Sequence, residues 1–133
     1  MNEILAIFIA AALPLFIILL FVHLVRERNE RIQVEQEVEP IGIFTGGGRF
    51  QYGALTTKFT YPFVQVRAYP EFVVISYSSK WMFRYSEILS VKESFGGLVI
   101  RHRKPDYPDK IVVAVGTEEL ITLFREKGVE VLN

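Results

Sequence analysis

The most prominent group of charged side chains is RHRKPDYPDK, residues 101–110. Its cations are Arg101, Arg103, Lys104 and Lys110. Cations this close together can contact acidic lipid headgroups or an acidic protein, and each contributes about 1 kcal/mol near an anionic leaflet. The alternative is the solvated tip of a β-hairpin, because two prolines bracket Asp106 and Tyr107 in a turn pattern. The residues leave both interpretations open, and we favour the solvated hairpin.

Side chains suited to catalysis are few. His102 is the one histidine outside the apolar N-terminal run, so a serine triad or a histidine base would depend on it alone. Its alternation with Leu98 and Ile100 predicts a core or hairpin-end position. Cysteine is absent, and a zinc site would need cysteines or more histidines. We therefore predict no enzyme activity, no catalytic residue, no metal and no cofactor.

Two further motifs resemble binding sites only in part. Gly46, Gly47 and Gly48 could cradle a phosphate, but a P-loop continues as GK[ST] whereas Arg49 and Phe50 follow here. A flexible hinge or tight turn is the prediction for these glycines. Aromatic residues of the strands could stack nucleic-acid bases, but no strand combines them with a basic stripe. We predict that they pack in the core, with no nucleic-acid partner.

Two different segments position these residues. Half of the 133 residues are hydrophobic and the net charge is zero, yet Ile4–Val25 is apolar throughout except for His23. A helix of this length spans roughly 33 Å, enough for the hydrocarbon core of a bilayer. A core helix would keep a polar stripe, and a signal peptide would begin with basic residues, whereas Glu3 stands here. Residues 1–25 are therefore predicted to be an uncleaved transmembrane anchor.

The charges that flank the span predict its orientation. Arg26, Arg28 and Arg31 follow the span, and no basic side chain precedes it. The positive-inside rule then places the C-terminal domain in the cytoplasm and the N-terminus outside. We expect a single-pass protein of the cell membrane. The mixed charges of RERNERIQVEQEVE predict that the helix continues for two to four turns until Pro40, as a helical stalk or linker over residues 26–41.

From about Gly42 onward the apolar residues recur with a period of two. In FVQVRAY, one face carries Val64, Val66 and Ala68 while the other carries Gln65 and Arg67. Similar short runs follow at hairpin spacing, namely FVVISYS, WMFRY, EILSVKES, LVIRHR and KIVVAV.

The last element has the pattern of a helix. Thr117 can cap it, and its apolar stripe is Leu120, Ile121 and Phe124. Six or seven strands followed by one helix predict a β-barrel or curved antiparallel sheet with a C-terminal capping helix.

The string YPFVQVRAYPEFVVISYSSKWMFRYSEILSVKE resembles the first half of a bacterial pleckstrin-homology-like domain, with the pattern Y-S-E-I-x-x-V at Tyr85 to Val91. The string GGLVIRHRKPDYPDKIVVAVGTEELITLFREKGVEV resembles the second half, two strands and a terminal helix. The resemblance covers about residues 50–132 and implies a pleckstrin-homology-like domain over residues 42–133. It also implies a role in protein interaction or assembly, as in small membrane-anchored proteins with no assigned activity.

Together these features predict a non-catalytic, membrane-tethered interaction module, such as an accessory subunit of a membrane protein complex. Its membrane protein partner is not identified by the sequence. The second hypothesis is a sensor of anionic lipid headgroups that uses Arg101, Arg103, Lys104 and Lys110. An enzyme ranks third.

Overall fold

The computed structural model describes residues 2–94 and 96–132. A long apolar helix, α1 (Asn2–Asn29), precedes a curled sheet of eight strands and a short helix, α2 (Thr117–Glu126). This layout confirms the predicted fold class. The strands are β1 (Gly42–Tyr52), β2 (Leu55–Ala68), β3 (Phe72–Ser76), β4 (Lys80–Arg84), β5 (Ile88–Ser94), β6 (Gly97–His102), β7 (Lys110–Val115) and β8 (Val131–Leu132).

Helix α1 is long and apolar enough to cross a membrane. Its most apolar 18-residue window has a mean hydropathy of 3.1, and none of that window is buried. The helix continues through Pro14 and extends one turn past the apolar run. Apolar side chains this exposed are unfavourable in water, which makes α1 a candidate membrane span near the N-terminus.

The predicted helical stalk over residues 26–41 is wrong beyond its first turn. Helix α1 ends at Asn29, and the chain continues in irregular conformation around a 3₁₀ turn at Gln33–Glu35. The tertiary contacts outweigh the local helix propensity, because this segment ion-pairs with β2 through Glu35 and Arg67. It also contributes to a small apolar cluster on the outer face of the sheet, formed by Ile32, Val38, Tyr69, Phe72, Val74 and Met82.

Seven of the strands form two antiparallel meanders, and β8 adds to β5 in parallel at one edge. The strand order of the sheet is β4-β3-β2-β1-β7-β6-β5-β8, so the pairing of β1 with β7 joins the meander β1–β4 to the meander β5–β7. The concave face holds the main core, which includes Val64, Val66 and Ala68 as the alternation predicted. Helix α2 adds its predicted stripe to this core, with Leu120 and Phe124 fully buried.

The prediction of a hinge or turn at Gly46, Gly47 and Gly48 is wrong. All three glycines lie inside β1, where the register shifts at a β-bulge. A Cβ atom on Gly46 would overlap the carbonyl oxygen of Ala114 on β7. Glycine is required here because two backbones approach closely within the sheet.

Strand β2 leaves the sheet at the same bulge. Gly46 pairs with Val64 and Gly48 pairs with Phe59, so residues 60–63 lie opposite Gly47 alone. We call residues 60–63 the excursion; it contains a cis peptide bond before Pro62. The excursion brings the Phe63 ring to 5.3 Å from the Phe21 ring of α1, in an edge-to-face arrangement.

Candidate functional site

The four predicted cations between β6 and β7 differ in their exposure to solvent. We call residues 101–110 the hairpin. Arg101, Arg103 and Lys110 are exposed, as the alternation predicted for the two arginines. Lys104 is half-buried, because its side chain folds back over the Tyr107 ring with Nζ 4.5 Å from the ring centroid.

Lys104 already has an anionic partner within the domain. Its Nζ lies 3.1 Å from a carboxylate oxygen of Glu87 and donates a hydrogen bond of 3.3 Å to the carbonyl of Met82. Burial alone would lower the pKa of Lys104, but Glu87 and Tyr107 outweigh that effect and raise it. The Arg84 backbone N–H, and then Lys104, lower the pKa of Glu87 despite partial burial. Lys104 is therefore already paired with an anion of the domain itself.

His102 lies at the hairpin end, as predicted. The Lys104 backbone N–H donates to His102 Nδ1 at 3.0 Å, so the proton of the neutral ring is on Nε2. Nε2 in turn donates to the carbonyl oxygen of Pro108 at 2.7 Å. Both ring nitrogens therefore hold the turn together.

The hairpin also ties separate parts of the sheet together. The Tyr107 hydroxyl donates to the carbonyl oxygen of Met82 on the edge strand β4 at 2.9 Å. Asp109 accepts a 2.7 Å hydrogen bond from the Gly53 backbone N–H in the β1–β2 turn. Much of the hairpin's polar chemistry is thus used inside the domain, which leaves Arg101, Arg103 and Lys110 as its exposed cations.

A buried polar cluster joins α1 to the sheet, and the sequence did not predict it. We call this cluster, formed by Arg67, Glu35, Tyr69 and the last turn of α1, the junction. Arg67 and Glu35 are at most 1% exposed and form a two-point ion pair, with distances of 2.6 Å and 2.9 Å. The Tyr69 hydroxyl donates to the same carboxylate at 2.7 Å.

Two further hydrogen bonds of Arg67 reach the end of helix α1. Its guanidinium donates to the carbonyl oxygens of Arg28 at 2.8 Å and Glu30 at 2.9 Å. The hydroxyl of Ser76 on β3 donates to the same Arg28 carbonyl at 2.8 Å, and Lys80 on β4 donates to the Glu27 carbonyl. Cations and donors suit a helix C-terminus, where backbone carbonyls have no partner within the helix.

The titration behaviour of the junction follows from these contacts. Burial would raise the pKa of Glu35, but hydrogen bonds from Arg67, Tyr69 and the Ile32 backbone outweigh it, so the pKa is lowered. Burial and the Glu35 carboxylate raise the pKa of Tyr69. Burial lowers the pKa of Lys80, which nearby acidic side chains only partly offset. The junction therefore keeps one ionised pair out of water.

One signal in the sequence could have indicated that the outer face is covered. The first four residues of β3, FVVI, are apolar on both faces, and all five residues of the strand are buried. Strands covered on both faces have continuous apolar runs, so this run could have placed another segment over Arg67 on the neighbouring strand. The alternation in FVQVRAY instead placed Arg67 on the face opposite Val64, Val66 and Ala68. Its side chain does point to that face, but it is buried there and not exposed to solvent.

Within residues 2–94 and 96–132, no three acidic, histidine or cysteine side chains are grouped as a metal site. Comparison with protein-family models, curated proteins and solved structures gives no match to this chain. These comparisons give the pleckstrin-homology-like resemblance no support. The chain consists of a helix long and apolar enough to span a membrane, followed by a curled β-sheet domain with a short helix near its C-terminal end.

Proposed function

We propose that this chain is a non-catalytic, membrane-tethered interaction module that acts as an accessory subunit of a membrane protein complex. The observation that carries the proposal is the junction. Two hydrogen bonds from one buried arginine reach the Arg28 and Glu30 carbonyls at the end of α1, and two more hold Glu35 of the segment that follows. A domain held in this way keeps one height and one orientation relative to the bilayer, as a module that meets a partner in the same membrane requires.

An exposed apolar pair offers a contact surface for such a partner. Ile41 is 53% exposed and Ile43 is 47% exposed. Ile41 directly precedes β1 and Ile43 is its second residue. Two residues apart in the chain, they share the outer face, and they directly follow the segment that docks on the sheet. Adjacent exposed apolar side chains favour contact with another protein over contact with water.

Site-specific photocrosslinking in native membranes tests this function. A photoreactive side chain at Ile43 should give a discrete adduct with another membrane protein, whereas one at Glu119, exposed on α2, should give none. The same adduct should weaken when Arg67→Ala releases the domain from α1. Absence of any discrete adduct at both positions would contradict the interaction module.

The proposed location is the cell membrane, with the N-terminus outside and the β domain in the cytoplasm. The three arginines that follow the apolar run support this orientation. A C-terminal reporter that matures only outside the cytoplasm should stay inactive. An active reporter would reverse the orientation.

The second candidate is a sensor of anionic lipid headgroups through the hairpin. The exposure of Arg101, Arg103 and Lys110 favours it, whereas the pairing of Lys104 with Glu87 weakens it. We also retain the pleckstrin-homology-like resemblance as a proposal, since the order of strands followed by a terminal helix over residues 50–132 supports it.

A further inference from the structure

A groove lies on the outer face of the sheet, where β1 is flanked by β2 and β7. It has a volume of about 410 Å³ and opens to solvent. Its lining includes Gly47, Arg49, Lys58, Tyr61, Gly96 and Ala114. The excursion of β2 makes one wall, and the absence of side chains on the glycines of β1 deepens the floor. No acidic residue is among the lining residues that the structure describes.

Two cations face each other across this groove. Arg49 on β1 and Lys58 on β2 are register partners, and both side chains are exposed. Like charges directly opposite on antiparallel strands repel each other. Neither side chain forms a salt bridge with another residue of the described chain. An anion bound between them would turn this repulsion into two attractive contacts.

With α1 as a membrane span, the wall of the groove formed by the excursion stands near the membrane surface. Tyr61 lines it and is 73% exposed, and two residues later Phe63 contacts Phe21 of α1. Phe21 is inside the apolar run that ends at Val25, so this contact is at the edge of the hydrocarbon core. Tyrosine favours the interface between hydrocarbon and water, and the headgroup phosphates lie in the same layer.

We propose that this groove binds the phosphate of an anionic phospholipid from the leaflet on the domain side of α1, with Arg49 and Lys58 as its ligands. The anchor keeps the groove beside the headgroups, and the excursion places Tyr61 between them and the hydrocarbon. The site differs from the hairpin in its residues and in the pairing of its cations. Its two cations have no anionic partner among the described residues, whereas Lys104 in the hairpin is neutralised by Glu87.

The test uses the full chain in a mild non-ionic detergent. Native mass spectrometry would compare retention of phosphatidylglycerol with retention of phosphatidylcholine, for wild type and for Arg49→Ser/Lys58→Ser. We expect the wild type to retain phosphatidylglycerol preferentially and the groove variant to bind it roughly 30-fold more weakly, from two lost cations. The matched control, Arg101→Ser/Arg103→Ser, removes the same charge from the hairpin and should bind as wild type does.

A competition arm separates a lipid from a free anion. Inorganic phosphate should not displace phosphatidylglycerol, because it lacks the acyl chains that the detergent micelle holds beside Tyr61. If the double variant fails to fold, Lys58→Glu replaces it, since a glutamate opposite Arg49 removes the repulsion and fills the site with an internal anion.

Four outcomes would overturn the proposal. They are equal retention of the two lipids by the wild type, undiminished retention by the folded groove variants, an equal loss in the hairpin control, and full displacement of the lipid by inorganic phosphate. These outcomes do not bear on the interaction surface at Ile41 and Ile43, which is tested separately by crosslinking.

Discussion

The junction and the hairpin are both rich in cations, but they use them in opposite ways. Arg67 is removed from water, and its guanidinium contacts one carboxylate, one amide and two carbonyl oxygens. In the hairpin, Arg101 and Arg103 extend into solvent, and only Lys104 has an ion-pair partner. A dense run of charge is therefore a poor guide to importance here, since a single buried arginine organises more of the fold than the hairpin's exposed cations do.

The largest expected effect is the loss of Arg67. Arg67→Ala leaves the Glu35 carboxylate buried without its cation, which should lower the free energy of unfolding by about 3–5 kcal/mol. Chemical denaturation of the full chain in detergent, followed by Trp81 fluorescence, measures this loss. The control is Glu35→Leu/Arg67→Met, which replaces both charges with apolar groups and should cost clearly less. If the double variant costs as much as Arg67→Ala, the ion pair is not the dominant interaction of the junction.

Acid should weaken the junction. The pKa of Glu35 is below its ordinary value of 4.5 in the folded chain, so the folded state binds fewer protons. The stability from this group is present above the unfolded pKa and is lost as the pH falls through the folded pKa. The loss should be smaller than that of Arg67→Ala, because a protonated carboxyl can still form hydrogen bonds.

Denaturation of wild type and Glu35→Gln across the acidic range measures this contribution. Because the pKa of Glu87 is also lowered, both chains should carry Glu87→Gln, which removes the hairpin's own contribution. The decline toward low pH should be shallower with glutamine at position 35. Identical slopes would mean that Glu35 is not ionised in the folded junction.

The Tyr107 hydroxyl should contribute less than either junction group. Tyr107→Phe removes its hydrogen bond to the Met82 carbonyl at the edge of β4, at a cost of about 1 kcal/mol. Tyr61→Phe is the matched control, since that side chain is 73% exposed and should leave the unfolding midpoint unchanged. Equal effects of the two substitutions would argue that the hairpin does not hold β4.

The smallest effect should come from the exposed arginines. Arg101→Glu/Arg103→Glu should fold as wild type does, with no measurable change in the unfolding midpoint. Adding Lys104→Glu should destabilise the domain, because it removes an ion pair and places a second carboxylate beside Glu87. A destabilised double variant would show that the arginines have structural contacts, and a stable triple variant would show that the Lys104 pair is dispensable.

The sequence by itself determined the helices and strands that depend only on neighbouring residues. The apolar run Ile4–Val25 is long and hydrophobic enough for a candidate span, and α1 continues one turn beyond it. The two-residue period in FVQVRAY separated the core face correctly, because side chains alternate along any strand. The apolar stripe of α2 could likewise be predicted from the sequence, since residues three and four apart share one helix face.

Only the tertiary structure decided the other features, because they depend on contacts between residues that are far apart in the chain. Residues 30–38 lose their helix to an ion pair between Glu35 and Arg67, 32 positions later. Gly46 is required by the Ala114 backbone on β7, and the groove with Arg49 and Lys58 exists because β2 leaves the sheet at that bulge. A local pattern specifies which way a side chain points, but only the packed chain determines whether water, lipid or a buried partner meets it there.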